Sequence, residues 1–354
     1  LQVLSVLAHG NDANMELMFH AGVVPTLLDM LQKRYGHVCN AAAADLIRVL
    51  CSSRLCQQQL LRYQGLSALL ATLRVSEHPA TQSAAVWAVN ALVQGQKSIL
   101  PELLKPGTVE TLLRCIETHN GAAPGTVRLL LVVFLHSGKH EDLRGLLLQS
   151  PAVVAALVDM LHNGPALEPT KWTASLLSTL CWQEAAMKQC MLDLAAPRAL
   201  ADVLEMTVKM LGQSPSNDTR RMITEATVSV LQALISLIDE SMPRGTASPV
   251  AVSTSKQLQH LALEASCLPL VGKVCSLCME STVAQQDGVD VAGQLQKLLK
   301  PVLRCLDWLL PLVHASPPEV TEALVAIEGC EEAPATARKH ATILLGKHDV
   351  QRGK

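Results

Sequence analysis

Ser83-Ala84-Ala85-Val86-Trp87-Ala88-Val89-Asn90-Ala91-Leu92 is the stretch on which the fold turns. It carries helix-favouring alanines and leucine, and Ala88 and Leu92, four residues apart, share one helical face. The same ending recurs. Residues 1–10, 40–53, 82–95, 126–138 and 171–183 each close a helix in this way, and aligning their last core leucines gives Leu7, Leu50, Leu92, Leu135 and Leu180. The steps are 43, 42, 43 and 45 residues, and four residues before each leucine sits Val3, Leu46, Ala88, Leu131 or Leu176. A fixed period of that size is the signature of stacked helical units.

Working outward, a second set of landmarks keeps the same beat. A short helix stops at a small turn and a new helix starts: Ala21-Gly22-Val23-Val24-Pro25, Gln64-Gly65-Leu66, Pro106-Gly107-Thr108 and Ser150-Pro151-Ala152. Glycine tolerates the left-handed backbone that ends a helix, and proline suits the first turn of the next. The helix that follows carries Leu27-Leu28, Leu69-Leu70, Leu112-Leu113 or Leu157-Val158. Each unit therefore reads as a short helix, a turn, a second helix, a polar loop and a longer third helix.

This unit resembles the armadillo repeat, through Ala21-Gly22-Val23-Val24-Pro25-Thr26-Leu27-Leu28 and the Ser83–Leu92 stretch. The resemblance covers residues 1 to 183 clearly and continues more loosely to 241. It implies an all-α chain: a right-handed α-solenoid of armadillo-like three-helix repeats, less regular toward the C-terminal end. The expected organisation is a solenoid over residues 1–241, a flexible Ser/Thr/Pro loop over 242–255, irregular helical repeats or a cap over 256–350, and a frayed tail over 351–354. In the loop, Ser248 precedes Pro249 and several hydroxyls, Ser253, Thr254 and Ser255 among them, are candidate phosphate acceptors. Further on, Ser316 reads as an N-cap with Pro317 at the first helical position.

Composition narrows the function classes. Of 354 residues, 49% are apolar and only 2% aromatic, which suits leucine- and alanine-rich helices and not a sandwich or barrel. The formal net charge is -2, so no basic excess marks a nucleic-acid surface, and no polybasic run marks an anionic membrane surface. No uninterrupted apolar run reaches the roughly 18 residues of a membrane span. Eleven cysteines at irregular spacing within apolar helices read as reduced, buried thiols, which places the chain in the cytoplasm or nucleus. The chain opens at Leu1, inside a helical pattern, and reads as a piece of a longer protein.

Armadillo arrays hold a partner segment on the surface lined by third helices, so the resemblance implies a groove there. Two columns of third-helix positions are the candidates. One holds Asp45, Trp87, Leu130 and Ser175; the other holds Arg48, Asn90, Val133 and Ser178. Asn can donate to and accept from a peptide backbone, Trp offers flat apolar area, and Arg can pair a carboxylate at two points. Import receptors of the family place Trp and Asn four apart in successive repeats; here they are three apart, and once. The apolar centre at Leu130, Val133 and Phe134 instead suits an amphipathic helix or a protein surface. A nucleic acid, a membrane or a small-molecule ligand is not expected.

Chemistry is sparse. Cys275-Ser276-Leu277-Cys278 is the one CxxC, and its zinc partners would have to be His260, Cys267 or Cys305, at irregular spacing in apolar helices. There is no phosphate-binding glycine loop, no HExxH and no GxSxG. No catalytic residue, metal or cofactor is expected. The leading reading is a non-catalytic scaffold or adaptor. The alternatives are a regulatory domain of a larger enzyme, such as a kinase, and a structural subunit of an assembly.

Overall fold

The computed structural model describes residues 1–33, 35–118, 122–137, 140–162, 166–182, 184–213, 216–239, 249–283, 291–313, 317–331 and 333–352. Among these there is no strand. The chain forms two compact units, residues 1–156 and 157–354. The loss of sequence regularity at residue 241 falls inside the second.

In the first unit, α1 (Gln2–Ala8) is a third helix. Three full repeats follow: α2 (Asp12–His20), α3 (Val23–Lys33) and α4 (His37–Leu50); α5 (Arg54–Arg62), α6 (Gly65–Val75) and α7 (Pro79–Gly95); α8 (Leu100–Leu103), α9 (Pro106–Glu117) and α10 (Ala123–Ser137). Each class of helix packs on its own class in the next repeat: α2 on α5, α3 on α6 and α6 on α9, and α1 on α4, α4 on α7 and α7 on α10. This stacking is why the sequence repeats. No unit can cover its own apolar face, so each repeat uses its neighbour. α11 (His140–Leu148) and α12 (Pro151–His162) begin the next repeat, and the unit boundary lies within α12.

The second unit continues with α13 (Leu167–Cys181); then α14 (Ala185–Asp193), α15 (Ala196–Gly212) and α16 (Asn217–Ile238); then α17 (Pro249–Glu264), α18 (Cys267–Val283) and α19 (Val291–Leu309); and finally the pair α20 (Pro318–Gly329) and α21 (Ala335–Arg352). The pairing rule holds here too: α14 on α17, α15 on α18 and α18 on α20, and α13 on α16, α16 on α19 and α19 on α21. The region beyond residue 256 is therefore armadillo-like in packing, although its sequence has lost the motif. The stretch Asp218–Ile238 is long and apolar enough to cross a membrane, but two-thirds of its apolar window is buried, as in a core helix.

The structure revises several local expectations. Residues 249–255, read as part of a loop, are the first turns of α17, opened by Pro249 in the position where a missing N–H costs nothing. Thr254 is accordingly buried and its hydroxyl donates to Gln189 Oε1 at 2.9 Å, which removes it as a phosphate acceptor. Residues 240–248, including Ser248, lie outside the described residues. Gln351 and Arg352, assigned to a frayed tail, end α21. Pro301 sits inside α19, which continues to Leu309. α20 is capped at Pro317, one residue later than read, with Pro318 first in the helix.

The turns between first and second helices also differ in detail. Gly22 takes the left-handed backbone expected of it (φ 70°), but at the next repeat Gln64 does so (φ 57°) and Gly65 is helical. Gly65 is needed for another reason: a Cβ there would stand 2.8 Å from the Leu60 carbonyl oxygen. The second unit uses Ala195 and Ser266 in the same left-handed role, at φ 51° and 58°.

Candidate partner-binding ridge

The third helices of the first unit present one solvent-facing edge. On α4 it carries Asp45 and Arg48, and on α7 Ser83, Trp87, Ala91 and Gln94. The packing register then steps by 41 residues onto α10, where Leu135 is exposed and Arg128, Leu131 and Val132 are half-buried on the same edge. Leu135 was aligned with the core leucines, yet it is 61% exposed, while Leu50 and Leu92 are fully buried. The side chain that takes the place of Leu92 is Val133. Leu7 is likewise half exposed and Ala8 is buried in its stead.

This slip corrects the candidate columns. Leu130 and Val133 are each 1% exposed and belong to the core with Phe134, so they line no groove. Their places at the surface are taken by Arg128 and Leu131. Asn90 is 3% exposed and structural: its Nδ2 donates to the Val86 carbonyl at 3.0 Å and to the Gly125 carbonyl at 2.8 Å, tying α7 to the start of α10. That approach is close because residue 125 is glycine; a Cβ there would stand 2.7 Å from Val86 Cγ1. Ser175 and Ser178 face α16. Ser175 Oγ meets Ser229 Oγ at 3.0 Å, and Ser178 Oγ meets Ser236 Oγ at 2.8 Å. They are not available to a partner.

Three of the expected residues remain on the surface. Asp45 and Arg48 are both about half exposed and form an ion pair with Arg48 Nε at 3.6 Å from the carboxylate, a geometry that contributes little in water. Trp87 is half buried, with the Arg128 guanidinium 5.6 Å from its ring centroid. Farther along, His136 Nδ1 lies 2.9 Å from the Val132 carbonyl, so that nitrogen carries the proton. Nε2 then accepts from Lys97 Nζ at 2.9 Å. Lys97 has no carboxylate partner among the described residues, so its charge faces solvent. The ridge from α7 to α10 thus consists of an apolar strip, Leu131, Val132 and Leu135, between an arginine on a tryptophan at one end and a lysine on a histidine at the other.

Arg128 is the signal that could have placed this ridge. α10 reads Arg128-Leu129-Leu130-Leu131-Val132-Val133-Phe134-Leu135, and apolar residues alone leave its period ambiguous. The single full charge must point out, and with it go residues three, four and seven later.

Several of the described cysteines are deeply buried. Cys51 and Cys267 are buried, which pushes both thiols up to about 12; Cys305, buried likewise, is raised further. Of the proposed zinc partners, Cys267 Sγ lies 3.6 Å from the Pro197 carbonyl and Cys305 Sγ 3.6 Å from the Leu231 carbonyl, and Cys275 packs on Met279.

No protein-family model matches the chain, and no curated protein matches it. Among solved structures it is similar to an engineered protein, at 16% identity and a TM-score of 0.51, over 81% of this chain and 96% of that one. It is also similar to SYS-1, at 12% identity and a TM-score of 0.43, over 88% of this chain and 57% of that one. The SYS-1/POP-1 complex gives 12% identity and a TM-score of 0.42, over 95% of this chain and 69% of that one. At these identities what the first likeness carries is the fold alone, an all-α arrangement of stacked helical units.

Proposed function

We propose that this chain is a non-catalytic member of the armadillo superfamily that acts as a protein-interaction scaffold. Its docking site is the α7–α10 ridge, and its partner is an amphipathic helix or a protein surface bearing carboxylates. The observation that carries this reading is Leu135, exposed beside Leu131 and Val132 on a helix whose other apolar residues are buried. Soluble chains scatter single apolar residues over their surfaces, but a contiguous strip flanked by cations marks a contact. A partner helix would lay apolar side chains on the strip and carboxylates toward Lys97 and Arg128. The buried, reduced cysteines fit a cytoplasmic or nuclear setting.

The test is affinity purification from cells with the wild-type chain and with Leu135→Asp and Arg128→Glu. Both substitutions lie at the surface and leave the core intact. A partner retained by wild type and lost from both variants supports the assignment, whereas equal recovery moves the docking site off α10.

A second reading, a structural subunit of an assembly, is favoured by α1. Val3, Val6 and Leu7 are all exposed on this one short helix, an apolar face suited to burial against another subunit.

A further inference from the structure

Within the second unit, α19 and α21 enclose a cleft of about 500 Å³. That volume falls in the range of small-ligand sites. Its floor is apolar: Leu299, Leu303 and Ala337 are all buried and all line it. The charges around it differ in kind. Asp307 accepts from His340 Nε2 at 2.7 Å, and Arg304 Nη2 donates to Asp239 Oδ2 at 2.8 Å, so both side chains are already engaged within the protein. Lys300 also lines the cleft, is exposed, and makes no ion pair or hydrogen bond among the described residues. Of the two cations that line the cleft, Arg304 is held by Asp239 and Lys300 is left to a ligand.

A second cleft in this unit sets off the contrast. It measures about 340 Å³ between α15, α18 and α20, and three carboxylates, Asp202, Glu205 and Glu319, line it against the single Lys273. An anion would be repelled there. At the α19–α21 cleft an apolar floor stands beside an ammonium with no partner among the described residues, which complements an apolar body with an anionic head.

We infer that the α19–α21 cleft is a binding site for a small amphipathic carboxylate. The ligand's hydrocarbon part lies on Leu299, Leu303 and Ala337, and its carboxylate accepts from the Lys300 ammonium. This departs from the sequence reading, which expected no small-molecule ligand. It is independent of the α7–α10 ridge, which lies in the other unit.

The experiment is calorimetric titration of the full chain with octanoate, below its micellar limit, with octan-1-ol as the uncharged control. Two variants accompany it. Lys300→Glu reverses the head-group charge, and Thr336→Trp, at an exposed position on the rim, fills the cleft. The expected result is saturable binding of one octanoate per chain. Affinity should fall roughly tenfold or more for octanol and for Lys300→Glu, as loss of a charge-assisted contact requires. Binding should disappear in Thr336→Trp while the helical circular dichroism is unchanged. No saturable heat with octanoate, equal affinity for octanol, or unaltered binding by either variant would overturn the inference.

Discussion

The third helices of the two units are joined in opposite ways. In the first unit α7 meets α10 through Val86, Gly125 and apolar packing, with Asn90 as a buried polar tie, and the outer edge is left with Leu131 half-buried and Leu135 exposed. In the second unit α13 meets α16 through a ladder of polar contacts: Lys171 to Glu225 at 2.5 Å, Ser175 to Ser229 at 3.0 Å and Ser178 to Ser236 at 2.8 Å. Small hydroxyl side chains let the helices approach closely, and their hydrogen bonds use up the edge that the first unit leaves open. The lesson is that the repeat supplies a surface but not a site. The same backbone position becomes a ridge or a seam according to the side chains it carries.

The second unit extends its polar joining into the interior. Lys188, 2% exposed, donates to the Asp239 carbonyl oxygen at 2.6 Å, and the Asp239 carboxylate accepts from Arg304. Gln259 Nε2 donates to the neighbouring Ile238 carbonyl at 3.0 Å. This node binds α14, α17 and α19 to the end of α16. A buried ammonium is tolerated only when its protons are all directed at acceptors.

If the comparison is right, its largest effects come from the two cores. Lys188→Met removes a buried cation and leaves the Asp239 carbonyl without that donor; a loss of about 1–3 kcal/mol in urea unfolding is expected. Phe134→Ala in the first unit should cost more, about 3–5 kcal/mol, by opening a cavity. Its neighbour Leu135→Ala should change stability by less than about 0.5 kcal/mol. That pair tests the register of α10 directly, since the leucine alignment would assign the larger loss to Leu135.

Next in size is the polar tie of the first unit. Asn90→Ala leaves the buried Gly125 carbonyl without its donor and should cost about 1–3 kcal/mol. Smaller still is the ladder of the second unit, where Ser178→Ala should cost about 0.5–1.5 kcal/mol. Its steric counterpart, Ser178→Leu, should be worse than Ser178→Ala if close approach matters, and equal to it if only the hydrogen bond does.

How much of this was legible follows from particular residues. The three-helix unit was readable because Leu27-Leu28, Leu69-Leu70 and Leu112-Leu113 recur with a glycine or proline turn before them. The exposed edge was readable on α4, where Asp45 and Arg48 punctuate the pattern. It failed on α10, where eight successive positions offer seven apolar residues, and where the step between repeats shortens to 41 and then lengthens to 47 before α13. Constant spacing was the wrong ruler, because the buried second-helix and third-helix residues lie 23 apart from Leu69 to Leu92 but 21 apart from Leu112 to Val133. Ser175 and Ser178 failed for a different reason: serine is equally at home in water and in a helix seam, and only the neighbouring helix decides. The α17 start failed because serine, threonine and proline favour both loops and first turns.

The smallest expected effects are chemical. Burial raises the Cys51 and Cys267 thiols to about 12, so the thiolate is disfavoured in the fold and the neutral form is stabilised. That contribution is fully present below the unfolded thiol's ordinary value and is lost as pH rises toward about 12. At pH 8 only about one in ten thousand of these thiols is ionised in the native state. Iodoacetamide followed by mass spectrometry should label the half-exposed Cys39 and Cys330 well before Cys51 and Cys267. Early labelling of Cys51 would mean that the first unit opens locally around α4.

The most direct test of the central claim is site-specific photocrosslinking. A photoreactive amino acid at Leu135, on the open edge of the first unit, should capture the bound partner in cells. The same residue at Ser229, in the sealed seam of the second unit, should capture none. Capture from Ser229 with none from Leu135 would contradict the assignment of the ridge.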